Sequence, residues 1–261
     1  MPVLYEKRNR VGIVTLSRPA ARNCWGADYN EGIVERFGEM AADDDIGCAI
    51  LTGDEKGGAF SAGANLKDPK THRHDSTGDF VRGLRKWQEF APNVLGEFPK
   101  PVIAAVNGYA VGIGCIVTYS CDLIIASDRA EWRLPQAALG LLPNHGGAVR
   151  AARWIGKGHA MKLALGFPLK AEEAHRIGLA QWLVPHARLR EEALAIAERL
   201  ADLPPLAAQL VKESVNRGTD MTVKDAAYFD LYRFLTLEMT EDAKESHAAW
   251  REGRKPVRRG K

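Results

Sequence analysis

Residues 101–121 carry no Asp, Glu, Lys or Arg, and no other stretch limits the possible folds as strongly. The run is long enough to cross a bilayer, which takes roughly 20 apolar residues, and Gly108 to Gly112 spells the GxxxG pattern of packed membrane helices. Pro101, Asn107, Gly108, Gly112 and Gly114 break it into pieces. The simpler reading is a buried strand at Val102–Val106, a glycine-rich turn and a buried helix over 113–119.

The same strand-then-helix alternation extends on both sides. Val11–Leu16, 48–52 and 123–126 are short apolar runs rich in β-branched residues and bounded by turn formers, so each predicts a strand. Over 29–41, Ile33, Val34 and Phe37 fall on one side of a helix. Alternation of this kind predicts an α/β fold with helical crossovers. After about residue 145 the pattern becomes mostly helical, with helices expected over 147–155, 160–165 and 171–177, the last stopped by Gly178. Over 189–200, Leu189, Ala193, Ile196, Ala197 and Leu200 share one face. Pro204 and Pro205 then break the chain, and Val223, Ala227, Leu231 and Phe234 mark a last helix, capped by Thr222 with Asp225. The expected division is a core over 1–200 and a helical region over 201–261. The most polar segment, 67–79, reads as a loop or mobile helix near a site entrance.

Composition narrows the function classes. In 261 residues, 46% hydrophobic and 26% charged, there is enough apolar material for an ordinary globular core. The net charge of +3 is too small to indicate nucleic acid, although Arg251, Arg254, Lys255, Arg258, Arg259 and Lys261 crowd the tail, as an anion site or simply a solvated end. Cys24, Cys48, Cys115 and Cys121 lack CxxC spacing, which suggests neither zinc nor a disulfide framework. The charged start MPVLYEKRNR is no signal peptide, so a cytoplasmic protein is expected.

Two glycine-bearing segments carry the chemistry: 59–66 (AFSAGANL) and 107–115 (NGYAVGIGC), each following a strand. Small residues let a ligand approach the backbone, and a helix start has free N–H groups. Two such amides converging on one oxygen form an oxyanion hole. Glycine turns beside strands are also common as plain tight turns. The third glycine of a dinucleotide fingerprint, a GxxxxGK[ST] loop and a GxSxG elbow are all missing.

AFSAGANL and AAVNGYAVGIGC, followed in order by CDLIIAS, RLPQAALGLLP, RWIGKG and ALGFPLKAEEAHRIGLAQWLVP, resemble the crotonase (enoyl-CoA hydratase/isomerase) superfamily along nearly the whole chain. The resemblance implies a spiral of ββα repeats with a helical carboxyl-terminal assembly region, and trimers or dimers of trimers. It implies an acyl-CoA substrate and no cofactor beyond the coenzyme A of that substrate. It places the oxyanion-hole amides at Ala64 and Ile113, with Ala62, Asn65, Leu66 and Gly112 around the bound thioester. Ile113 stands where glycine is commoner, and Asn65 where aspartate is usual. Phe234 matches an aromatic position that touches coenzyme A from a neighbouring subunit. The basic residue typical of the tail falls on Gly253, for which Arg251, Arg254 and Lys255 are possible substitutes.

Hydratases of this family use two glutamates to activate water and move a proton. Their positions fall here on Ile116 and Gln136, and a third acidic position falls on Asn144; none of these side chains is a base at neutral pH. His145, in a Pro-Asn-His-Gly-Gly turn, is the best remaining proton carrier, although a lone histidine is often only structural. Gln136 either orients substrate or water or satisfies local backbone. His72 and His74 lack a convincing ligand set, Trp87 and Phe90 line a pocket or pack a helix, and Cys115 and Cys121 read as small buried residues. Three activities follow: an enolate-forming enoyl-CoA hydratase or isomerase, a carbon–carbon bond hydrolase, and a non-catalytic acyl-CoA or RNA-binding scaffold.

Overall fold

A computed structural model of the chain describes residues 2–67, 76–85, 89–258 and 260. The chain opens with a hairpin, β1 (Val3–Arg8) and β2 (Val11–Leu16), turned through Asn9 in the left-handed region that asparagine tolerates. Helix α1 (Ala27–Ala42) follows, and then three turns of one plan begin. The first is β3 (Cys48–Gly53), β4 (Ala59–Ser61), α2 (Thr77–Arg85) and α3 (Ala91–Glu97). The second is β5 (Val102–Val106), β6 (Tyr109–Val111) and α4 (Ile113–Thr118), and the third is β7 (Leu123–Ser127), β8 (Glu131–Arg133) and α5 (Gly147–Ala164). This is the expected ββα spiral.

The long strand of each turn joins one sheet, in the order β1-β2-β3-β5-β7-β10, where β10 is Trp182–Val184. All its pairs after the hairpin are parallel. The short strands form a second sheet, β4-β6-β8-β9, closed by the antiparallel β9 (Leu169–Lys170). The first sheet is apolar on both faces, as a covered parallel sheet must be. Val11, Ile13, Cys48, Ile50, Ile103, Ala105 and Ile125 pack under α7 (Leu189–Ala201). Their neighbours Val14, Leu16, Ala49, Leu51, Val102, Ala104, Val106 and Ile124 face the main core with α1, α3, α4 and α5.

The charge-free run is therefore two strands and a helix. Tyr109–Val111, read from sequence as part of a turn, is a strand, because Ala110 lies buried between β4 and β8. Among the described residues no helix is long and apolar enough to cross a membrane. The two helices expected over 147–155 and 160–165 are one element broken at Gly156, whose φ of 71° and ψ of 165° leave the helix. A short α6 (Ala171–Arg176) comes next, and beyond α7 lie α8 (Pro205–Gly218), α9 (Val223–Glu238) and α10 (Glu241–Glu252). Pro205 begins α8 instead of ending the pattern: proline suits the first helical position because its missing N–H would have no partner there. The Thr222 hydroxyl caps α9, accepting from the Asp225 N–H at 3.2 Å and donating to its carboxylate. His72, His74 and Trp87 lie outside the described residues.

Candidate active site

The first glycine segment leaves β4 and runs beside residue 25. The Trp25 N–H donates to Gly63 O at 2.7 Å, and the Asn65 N–H donates to Trp25 O at 2.9 Å. In such a parallel bridge the middle residue turns its own polar groups to the other side. The Ala64 N–H accordingly has no acceptor among the described residues and points away from Trp25. Two residues upstream, the Ala62 N–H is committed to Arg22 O at 3.0 Å.

The second segment leaves β6 at Gly112, whose φ of 55° and ψ of −119° suit only a residue without Cβ. Its N–H donates to Arg133 O at 2.8 Å, and its C=O accepts the Ile116 N–H at 3.0 Å in the first turn of α4. Ile113 is the first residue of that helix, so its N–H has no acceptor within it, and no other described residue supplies one.

Three glycines bring these two amides together. A Cβ on Gly63 would stand 2.8 Å from Val111 O, and one on Gly112 would stand 3.9 Å from Gly63 Cα. The residues just before Ala64 and Ile113 thus abut, backbone against backbone. A Cβ on Gly114 would come within 2.7 Å of Ser61 Cβ and O, so the end of β4 seats α4 directly. Gly114→Ala is expected to destabilise the protein by about 1–3 kcal/mol through overpacking, read as a lowered denaturation midpoint. An unchanged midpoint would show that α4 is free to shift.

The side chains near this pair mix apolar groups with uncharged amides. Ile116 is fully buried one turn along α4, its Cδ1 2.7 Å from where a Gly147 Cβ would sit, with Pro143 beside the same position. Gln136 lies in a single 3-10 turn after β8, its Nε2 3.6 Å from a Gly112 Cβ position. Its Oε1 is buried and has no hydrogen-bond partner among the described residues. Asn144 is exposed and its carbonyl closes the turn to Gly147 at 2.8 Å. Asn65 holds the Lys67 N–H at 3.2 Å, and Leu66 is exposed.

His145 occupies this turn in the left-handed region at φ 51°. Its half-buried ring lies 4.6 Å from the Phe90 ring, and its side chain hydrogen-bonds no described residue. Arg150 spans the turn, donating to His145 O at 3.3 Å and to Asn93 Oδ1 at 2.8 Å. Burial, assisted by the Arg150 charge, pulls the imidazole below its ordinary pKa, so it is neutral at pH 7. Arg150 and Asn93 carry no motif that marks them in the sequence; Phe90 does reach the site.

Other expectations fare differently. Burial pushes the thiols of Cys115 and Cys121 far above their usual range, which suits inert core residues. Phe234 is exposed on α9 and is not brought to the amide pair within this chain. Arg254 pairs with Glu245 and Glu252 of α10. The described residues hold no cluster of three or more His, Cys, Asp or Glu suited to a metal.

Comparison with known proteins matches this architecture. Residues 6–261 match the family described as Enoyl-CoA hydratase/isomerase. A Rhizobium meliloti (strain 1021) protein named "Probable enoyl-CoA hydratase" is 39% identical over 254 residues, covering 95% of this chain and 94% of its own. The "Short-chain-enoyl-CoA hydratase" of Clostridium acetobutylicum is 36% identical, covering 97% of this chain and 95% of its own. Among solved structures, an enoyl-CoA hydratase from Bacillus anthracis superposes with a TM-score of 0.92 at 28% identity, covering 100% of both chains. Motif order, spiral and relatives agree along the full length, and the chain belongs to the enoyl-CoA hydratase/isomerase family of the crotonase superfamily.

Proposed function

We propose that the chain is an acyl-CoA enzyme that holds a thioester carbonyl between the Ala64 and Ile113 amides and stabilises the enolate formed from it. The observation that carries this reading is that two N–H groups without acceptors adjoin one backbone contact, Gly63 on Gly112. Donors fixed in advance stabilise developing oxyanion charge without reorganising, and each is worth about 3 kcal/mol. Neither hydratase glutamate has a counterpart, since Ile116 and Gln136 occupy their positions. Gln136 keeps an amide Oε1 with no partner among the described residues, which a turn of the side chain would present to a water or a substrate hydroxyl.

His145 is the proposed proton carrier. Because its folded pKa lies below the ordinary imidazole value, the neutral base persists as pH falls below about 6.5. The acid limb of kcat/KM, measured over an enoyl-CoA panel, is therefore expected below that value. His145→Ala should lower kcat by about 100-fold or more. Unchanged turnover in the variant would remove histidine from the mechanism. Phe234, exposed on α9, fits the proposed contact with coenzyme A across a trimer, which sedimentation of the intact protein would test.

The apolar Ile116 and the non-ionisable Gln136 also favour a second reading, hydrolysis of a carbon–carbon bond in a thioester or diketone. Mass spectrometry of products separates the two: hydration adds water to an intact acyl chain, whereas hydrolysis divides it.

A further inference from the structure

The Ala64 N–H shares a peptide plane with the Gly63 C=O, and across a trans peptide the two point in opposite directions. Aiming one therefore aims the other. Gly63, at φ 84°, has no Cβ to restrict its torsions, so its own conformational preference does not orient this plane. What holds the Gly63 C=O is the Trp25 N–H, 2.7 Å away. The direction of the Ala64 N–H is thus decided from residue 25.

Residues 22–25 are held on two sides. Towards the site, Arg22 O accepts the Ala62 N–H at 3.0 Å and Trp25 O accepts the Asn65 N–H at 2.9 Å. Behind them, the wholly buried Asn23 side chain accepts the Arg18 N–H at 3.0 Å through Oδ1, and its Nδ2 donates to Asp54 O at 3.0 Å and to Ala59 O at 2.7 Å. Both Nδ2 hydrogens are spent on the turn that leads into β4. A Cβ on Gly57 would stand 2.6 Å from the same Nδ2, so that turn closes directly on the side chain. Arg22 and Asn23, at φ 51° and 54°, are the one adjacent pair of non-glycine residues in the left-handed region among the described residues. Such strain persists only where surrounding bonds over-determine it, and here those bonds centre on Asn23. Arg18 adds a lesser brace, with Nη1 donating to Cys24 O at 2.7 Å and Nη2 paired with Asp28.

We infer that Asn23 is a positioning residue of the enolate site: by fixing residues 22–25 against the turn before β4, it holds the Gly63–Ala64 peptide in the orientation that presents the Ala64 N–H. The inference rests on the enolate reading and adds to it the origin of that amide's aim. Without the Asn23 side chain the Trp25 N–H loses its fixed place, and a turn of the 63–64 peptide would bring a carbonyl oxygen where the donor stood. An asparagine that served the fold alone would lower stability and leave the chemistry of the folded, saturated enzyme unchanged. A positioning one lowers that chemistry, because displacing a pre-set group by about 1 Å costs about 100-fold.

Asn23→Gly tests this in the full chain, since glycine adopts the same backbone torsions without the side chain. With folding verified by circular dichroism and acetoacetyl-CoA at saturation, where affinity no longer enters, enolate absorption per bound ligand is expected to fall about 10-fold or more, and kcat on an accepted acyl-CoA about 100-fold. Wild-type absorption and kcat in the folded, saturated variant would overturn the inference. Should Asn23→Gly not fold, Arg18→Met decides, because it removes the bond to Cys24 O from a side chain that is only part-buried. A reduced enolate band there supports the inference, and a wild-type band overturns it. Ile113→Pro separates the two levels of the argument. If the band is lost in Ile113→Pro but kept in Asn23→Gly, the positioning role alone fails. If the wild-type protein binds acetoacetyl-CoA without an enolate band, or the band survives Ile113→Pro, the enolate reading fails and this inference falls with it.

Discussion

Ile113→Pro is expected to lower kcat/KM on an accepted acyl-CoA by about 100- to 1,000-fold relative to Ile113→Ala. The comparison isolates one atom group. Both variants remove the part of the Ile113 side chain that packs against the core, but only proline removes the N–H. Position 113 is the first of α4, where proline is tolerated and where the missing donor served no other residue. Gly112, at φ 55°, ψ −119°, can precede a proline because it lacks the Cβ that would clash. The fold should therefore survive, as circular dichroism would show. A second readout avoids turnover: binding of acetoacetyl-CoA, followed by its enolate absorption, should lose the enolate band in the proline variant and keep it in the alanine variant. Equal behaviour of the two would mean that the Ile113 amide does not hold the oxygen.

How far the sequence speaks depends on the range over which a physical pattern operates. Ile103, Ala105 and their neighbours read as a buried strand because five successive apolar residues need cover on both faces, and the sheet gives it. Three-residue strands such as β6 and β8 are too short to set a period, and their pairing depends on partners some 20 residues away or more. The two glycine segments stand out locally, but the choice of the Ala64 and Ile113 amides within them came from the order of motifs along the whole chain. The surroundings of His145 were not legible, since Asn93, Phe90 and Arg150 meet only after α3 and α5 pack. The tail shows the same limit: a count of Arg and Lys misses Glu245 and Asp242, which bind Arg254, the Val257 N–H and the Gly260 N–H. Likewise, Asn23 reaches Asp54 and Ala59 across the fold, and no spacing rule joins them.

Lys212→Ala is expected to destabilise the protein by about 3–5 kcal/mol, because it leaves a buried carboxylate without its partner. Lys212 reaches from α8 into the core, 8% exposed, and places Nζ 2.8 Å from Asp122 Oδ2. The same ammonium donates to Lys100 O at 3.1 Å, and Asp122 in turn accepts the Val102 N–H at 2.8 Å. One pair thus ties the carboxyl-terminal helices to β5, β7 and the end of α3. Burial pushes the Asp122 carboxyl above its usual range, against the opposing pull of Lys212. A carboxyl whose folded pKa exceeds its unfolded one weakens folding at high pH, and that cost fades as pH falls through the folded pKa. Removing Lys212 raises the folded value further. The deficit of Lys212→Ala should therefore be greatest at neutral and alkaline pH and shrink on acidification, measured as denaturation midpoints at fixed protein concentration. Lys212→Met combined with Asp122→Asn should recover most of the loss, since asparagine can still accept from Val102 and neither residue is charged. If the double variant were as unstable as Lys212→Ala at every pH, the uncompensated charge would not be the cause, and the packing of α8 would have to account for the whole effect.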